Sequence, residues 1–206
     1  MRVFWSSTSP FVRKVTVFAL ETGLEPRIER IPVKTMPTTP DPELSACNPL
    51  SKMPSLETDD GEWLYDSRVA CEYLDTLHDR APLIPRDGAP RFEVLRLQAV
   101  GDGALDAGIL CRYESLRPAA YQWSVWTDAQ LGKVHRCLDL LERAAKGPSA
   151  LTADALNVGQ IAVGCMLGWL DFRMVAGDFR RGHPEVAAWY ERFSERPSMR
   201  ATVPYE

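Results

Sequence analysis

Ser9-Pro10-Phe11-Val12-Arg13-Lys14 places a hydroxyl directly before a proline and a stretch of apolar residues at helical spacing. Serine is a leading N-cap and proline suits the first helical position, so a helix starts here. Its unpaired N–H groups and the positive end of its dipole lie beside the hydroxyl. Such a place favours an anion, a thiolate included. Capping alone also accounts for Ser9, and Ser6, Ser7 and Thr8 offer the same group. A second constellation is Asn48-Pro49-Leu50-Ser51-Lys52-Met53-Pro54-Ser55-Leu56. Proline at the head of a strand demands edge or special geometry. A cis Met53–Pro54 bond would turn the Met53 N–H and C=O outward, ready for an extended peptide-like ligand; a trans proline in a loop is the alternative. Third, Asp66-Ser67 precedes an apolar-periodic stretch. The hydroxyl and first N–H groups there suit a carboxylate, and Asp66 suits an ammonium group. An α-amino acid head group carries both charges, although capping explains this pair as well.

The elements that must hold these residues follow from periodicity. Val3–Trp5 reads as a strand, and Phe11–Glu21 as a helix stopped by Gly23. Arg27–Val33 is a second strand, followed by a proline-rich loop from Lys34 to Pro42 and a short helix over Glu43–Cys47. Pro54–Thr58 and Glu62–Tyr65 flank Asp59-Asp60-Gly61 as a hairpin. Arg68–His78 is helical. A helical crossover makes the first two strands parallel, and the hairpin makes the last two antiparallel. The result is an α/β domain over residues 1–79, a mixed four-strand sheet with helices at thioredoxin-domain size. Residues 80–90, with Pro82, Pro85, Gly88 and Pro90, form a linker. Strand signals then vanish. Arg91–Leu116, Thr127–Lys146, Leu156–Met174 and Pro184–Arg196 read as helices, so residues 91–206 form an all-α domain.

Several chemistries are excluded. Lys and Arg number 24 against 28 Asp and Glu, so no basic excess exists to neutralise nucleic acid. Ile161–Leu170, the longest apolar stretch, is too short to span a bilayer. Cys47, Cys71, Cys111, Cys137 and Cys165 lack metal-ligand or redox spacing; they read as small buried hydrophobes in a reducing, cytoplasmic setting. His78, His135 and His183 are far apart and form no metal motif; His78 reads as lying near a helix end. Asp102, Asp106 and Glu114 read as a solvated or dimer-facing edge.

With the three constellations in this order, the first half resembles the N-terminal domain of the glutathione S-transferase superfamily, in its bacterial, Ser-type form. The family loop commonly reads N-P-x-G-K-V-P, and a Glu/Asp-Ser pair opens its third helix. In the second half, Leu156-Asn157-Val158-Gly159-Gln160-Ile161-Ala162 looks like the family's helix-capping motif. His183-Pro184-Glu185, Trp189, Phe193 and Arg196-Pro197-Ser198 resemble its closing segment. Ser51 stands for the usual Gly, Met53 for Val, and Asn157 and Gln160 for Ser/Thr and Asp.

The resemblance implies a thioredoxin-like fold for residues 1–79, glutathione as co-substrate and no metal. Ser9 would be catalytic, donating to the thiol. Met53, before Pro54, would pair with the cysteinyl unit. Asp66 and Ser67 would hold the γ-glutamyl group, with Lys34 and Lys52 near the glycine carboxylate. A small hydrophobic electrophile would lie between the domains against Trp5, Phe11, Tyr113 and Trp169, in a detoxifying conjugation. It also implies a homodimer, with Leu64, Tyr65 and Arg68 as contributors. No cysteine precedes Cys47, which disfavours thiol exchange through a protein nucleophile. Two further readings share the site: a non-catalytic or weakly catalytic glutathione-binding adapter, and a glutathione-dependent reductase or peroxidase.

Overall fold

A computed structural model describes residues 1–206. The chain divides into two units, Met1–Ile84 with Ala201–Glu206, and Pro85–Arg200. The expected boundaries were 1–79, 80–90 and 91–206. The division falls at residue 84, and the last six residues return to the first unit.

The first unit contains β1 (Arg2–Trp5), α1 (Pro10–Thr22), β2 (Glu29–Pro32), α2 (Pro42–Cys47), β3 (Leu56–Glu57), β4 (Trp63–Leu64) and α3 (Ser67–Leu74). The sheet order is β2-β1-β3-β4. β1 and β2 are parallel; β1 with β3, and β3 with β4, are antiparallel. Gly23 ends α1 at φ +78°, donating its N–H to the carbonyls of Ala19 and Leu20. A left-handed residue there is a glycine position, because a Cβ would clash with the backbone. β3 is short because Pro54 has no N–H to extend its ladder. α3 ends at Leu74, not at His78 as expected. The Asp75 carboxylate instead accepts from the N–H groups of Leu83 and Ile84 at 2.9 and 3.0 Å, and from the His78 ring at 3.1 Å. An acidic residue just after the helix thus fastens the following segment.

The second unit contains α4 (Gly88–Ser115), α5 (Ser124–Ala145), α6 (Val158–Arg173), α7 (Pro184–Ser194) and α8 (Pro197–Arg200). α4 begins inside the expected linker. Pro90 lies in its first turn, where N–H groups have no helical partner and a missing one costs little. Every residue of α6 from Val158 to Leu170 is buried, which makes it the central helix. Its capping box is complete: the Asn157 side chain accepts from the Gln160 N–H, and the Gln160 side chain accepts from the Asn157 N–H, both at 3.0 Å. Small residues let α4 and α6 approach. A Cβ on Gly101 would lie 2.9 Å from the Ala162 backbone, and one on Gly159 2.8 Å from the Val94 carbonyl oxygen.

Two acidic residues expected at a solvated edge are buried: Asp102 at 1% exposure and Glu114 at 9%. Glu114 accepts from the Trp123 N–H at 2.8 Å, satisfying an otherwise unpaired donor at the start of α5. Of the five cysteines, Cys71, Cys111 and Cys165 are buried as expected; Cys47 and Cys137 are only partly so, and all five are free. No helix is long and apolar enough to cross a membrane.

Candidate functional site

Strand register converges the three constellations. Val3 pairs with Leu56, and Leu56 pairs with Leu64. Phe4 donates its N–H to the Ser55 carbonyl at 3.1 Å, so the antiparallel register continues past the assigned strand. One further step sets Trp5 opposite Pro54, and the same count along the hairpin sets Asp66 opposite Pro54 on the other side. Neighbouring strands lie about 5 Å apart. The β1–α1 loop, the Met53–Pro54 peptide and the start of α3 therefore share one end of the sheet. Residues separated by about sixty positions in sequence come to flank Pro54 on either side through four residue pairs.

Ser9 is the N-cap of α1, with extended backbone at φ −83° and ψ 117°. Its Oγ accepts from the Val12 N–H at 3.3 Å. An oxygen that accepts in this bond keeps its own proton for donation. The neighbouring hydroxyls are arranged differently. Ser6 and Thr8 face each other at 3.2 Å between oxygens, and the Ser9 N–H donates to the Ser6 carbonyl at 3.3 Å.

Met53–Pro54 is a cis peptide. Neither the Met53 N–H nor its C=O enters the hydrogen bonds of the loop. The residue that shapes this loop is Asn48, fully buried at 0% exposure. Its amide donates to the Lys52 carbonyl and to Ser55 Oγ, each at 3.0 Å, and its carbonyl oxygen accepts from the Leu50 N–H at 2.9 Å. Ser55 Oγ also donates to the Lys52 carbonyl at 3.0 Å. Asn48 and Ser55 were legible only as parts of a quoted motif. The buried Asn that opens N-P-x-x-K-x-P was the available signal. Ser51 adopts φ +50°, the left-handed region where the family's usual glycine is favoured, and its hydroxyl lies 2.9 Å from Ser45 Oγ.

Asp66 caps α3, accepting from the Arg68 N–H at 2.9 Å, and remains exposed. The peptide before it, Tyr65–Asp66, is cis. Ser67 follows at the first helical position with 2% exposure and no hydrogen bond from its hydroxyl within the chain. Lys34 and Lys52 are exposed and form no ion pair. Trp5 and Phe11 are half-buried on the first unit, and Arg30 lies over the Trp5 ring at 5.5 Å. In the second unit, Tyr113 is half-buried on α4, where burial pushes its hydroxyl pKa up, so it stays protonated at neutral pH. Trp169 is 4% exposed within α6, and a Cβ on Gly108 would lie 3.0 Å from its ring.

One wall of the loop was not foreseen. Trp5, Ser6 and Ser7 border a small cleft of about 100 Å³ with Arg13, Arg30, Thr202 and Tyr205. Arg13, 7% exposed, donates from Nε to Thr202 Oγ1 at 3.3 Å and holds the returning tail. Nothing in the local pattern of residues 201–206 signals this return. No group of three or more His, Cys, Asp and Glu side chains converges to hold a metal.

Comparison with known proteins adds to this geometry. Residues 8–77 match the glutathione S-transferase N-terminal domain, and residues 124–192 match the C-terminal domain. The uncharacterized GST-like protein YibF of Escherichia coli K12 is 33% identical over 204 residues, 99% of this chain and 98% of that one. A glutathione transferase family member from Pseudomonas fluorescens Pf-5, crystallised with bound glutathione, shares 44% identity at a TM-score of 0.95, covering 100% of this chain and 99% of its own. A glutathione S-transferase from Methylobacillus flagellatus with glutathione bound shares 37% identity at a TM-score of 0.88, covering 99% of each chain. With the thioredoxin-like sheet, the helical second unit and the motifs in register, the chain belongs to the glutathione S-transferase family.

Proposed function

We propose that this protein binds glutathione at the end of the sheet and ionises its thiol for attack on a small hydrophobic electrophile. The observation that carries this reading is the register that sets the β1–α1 loop and the start of α3 on either side of Pro54. The tripeptide's cysteinyl unit pairs with the unused N–H and C=O of Met53. Its γ-glutamyl carboxylate meets the free hydroxyl of Ser67 and the start of α3, and its ammonium group meets Asp66. Lys34 and Lys52 supply positive charge for the glycine carboxylate.

Ser9 donates its remaining proton to the sulfur. A hydrogen bond to a charged acceptor is stronger than one to its neutral form, so the thiolate is favoured over the thiol. The thiol proton leaves to solvent. The sulfur lone pair forms a carbon–sulfur bond, and the displaced electron pair departs on a leaving group or, in an addition, takes up a proton. Trp5 and Phe11 offer the electrophile an apolar surface beside the first turn.

The bacterial relatives crystallised with glutathione support binding of that tripeptide. Five free cysteines accord with action in the cytoplasm. A homodimer accords with β4, a two-residue edge strand, followed by Arg68 and by Val69 at 45% exposure. Light scattering during gel filtration tests that assembly. The test of the function is titration with glutathione, following ultraviolet thiolate absorbance across pH. A bound-thiol pKa below the free value of about 8.5 supports it. Binding with an unshifted pKa favours a glutathione-binding adapter instead.

A further inference from the structure

The tip where α4 turns into α5 is apolar, aromatic and uncovered. Every residue from Ser115 to Trp126 is exposed, and five are large hydrophobics: Leu116, Tyr121, Trp123, Val125 and Trp126. Tyr121, Trp123 and Val125 are the barest, at 68%, 61% and 64% exposure. Trp123 and Trp126 stack, with ring centroids 6.4 Å apart and planes 16° apart, yet both remain exposed. Single apolar side chains on a surface are ordinary, whereas a contiguous group marks a face that something covers. The proposed transferase chemistry uses none of these residues.

Three observations favour a lipid surface as the cover. The first is residue type. Tryptophan and tyrosine, apolar bodies with one polar end, concentrate where hydrocarbon meets headgroups. The second is the fate of the polar groups. The N–H groups of Tyr121 and Gln122 donate to the carbonyls of Pro118 and Ala119 at 2.8 and 3.3 Å, and the Trp123 N–H donates to Glu114. The Gln122 side-chain amide donates to the carbonyls of Ser115 and Arg117 at 3.3 and 2.8 Å. A turn paired within itself gives up water at low cost. The same pairing leaves few groups for a protein partner, whose interface would carry about one hydrogen bond per 100–200 Å². The third is charge. The chain has a formal net charge of −4, yet Arg117 is the one charged residue from Ser115 to Thr127. Its side chain is 54% exposed, while that of its partner Glu114, 3.3 Å away, is 10% exposed. An approaching surface therefore meets a guanidinium beside aromatic rings, which complements lipid phosphates. No helix is long and apolar enough to cross a bilayer, so the contact lies at the headgroup layer.

We propose that the α4–α5 tip docks on a phospholipid surface, with Tyr121, Trp123, Val125 and Trp126 at the headgroup boundary and Arg117 against phosphate. This docking does not rest on the thiol chemistry. The probe is a vesicle of phosphatidylcholine and phosphatidylglycerol, seven parts to three, floated with the whole protein. The protein should float with the vesicles, and lipid brominated on its acyl chains should quench tryptophan emission. Trp123→Ser combined with Val125→Ser, both at exposed positions, should weaken flotation about tenfold while thermal unfolding stays close to wild type. Arg117→Gln should narrow the preference for the mixed vesicle over pure phosphatidylcholine, and an unchanged preference refutes the charge argument. Absence of flotation at millimolar lipid overturns the proposal. So does flotation without quenching, or a double variant that floats as wild type does. Self-association without lipid that the double variant abolishes also overturns it, because a second copy then covers the tip. Quenching is read on the wild type, so it decides the matter even where a variant fails to fold.

Discussion

Replacing Ser9 by alanine removes two separable things. One is the N-cap of α1, a bond of 3.3 Å from the Val12 N–H. Ser-to-Ala cap losses run at about 0.5–2 kcal/mol, and this bond is at the long end of the geometric range, so about 0.5–1 kcal/mol is expected. For a chain of this length that lowers Tm by about 1–4 °C. The other is the proton donated to sulfur. A hydrogen bond to a charged partner contributes about 1.5–3 kcal/mol and a neutral one about 1, so the difference is about 0.5–2 kcal/mol, centred near one pKa unit. The α1 dipole contributes about a further 0.3–1 kcal/mol and survives the substitution. From a free thiol near 8.5, wild type should then hold bound glutathione near a pKa of about 7, and Ser9→Ala near about 8. The thiolate fraction at pH 7 falls from about a half to about a tenth, so conjugation slows about fivefold there and recovers above about pH 9. Ser9→Asp separates the two effects. Aspartate caps as well as serine but carries no proton at neutral pH, so Tm should return while the thiol pKa rises further. The assay is the pH profile of conjugation with a chromogenic aryl halide, beside absorbance titration of bound thiolate. A Ser9→Ala profile that overlays wild type across the whole pH range refutes the assignment.

Ser7→Ala should leave that pH profile unchanged; if it alone reproduces the shift, the donor is Ser7. In the Asn48 loop, Ser51→Gly relieves left-handed strain of about 1–2 kcal/mol but loses the contact with Ser45 and gains unfolded-chain entropy. Its stability should stay near wild type by chemical denaturation, whereas Ser51→Ala keeps the strain and should fall about 1 kcal/mol below it; equal values for the two variants contradict the backbone argument. Gly164→Ala places a Cβ 2.5 Å from the Phe193 ring and forces that ring off Trp189, so thermal unfolding should drop by about 1–3 kcal/mol, and an unchanged Tm contradicts the packing. Glu57, hydrogen-bonded by Arg2, and Asp59, hydrogen-bonded by the terminal ammonium group and Arg27, are held below their ordinary pKa values of 4.5 and 3.8. Depressed folded pKa values stabilise above the unfolded values and lose that contribution as pH falls through the folded ones. The Tm gap between wild type and Arg2→Gln should therefore close as pH drops from 6 towards 3, and a gap independent of pH contradicts the pairing.

Local chemistry was readable directly in the chain. Ser9 before Pro10, Asp66 before Ser67 and Asn157 three positions from Gln160 are capping patterns whose physics lies within one helical turn, so type and spacing determine them. The hairpin at Asp59-Asp60-Gly61 and the parallel crossover through α1 are likewise near-neighbour consequences. Tertiary structure alone decided the rest. Asp75 reads as an ordinary helical residue until Leu83 and Ile84 bring it their N–H groups. Glu114 reads as a surface acid until the start of α5 needs an acceptor. Arg13 meets Thr202, a partner 189 positions away, and the tail that carries it belongs to the first unit. These pairings depend on where distant backbone ends up, and a hydrogen bond to a remote group leaves no period or spacing in the sequence that contains it.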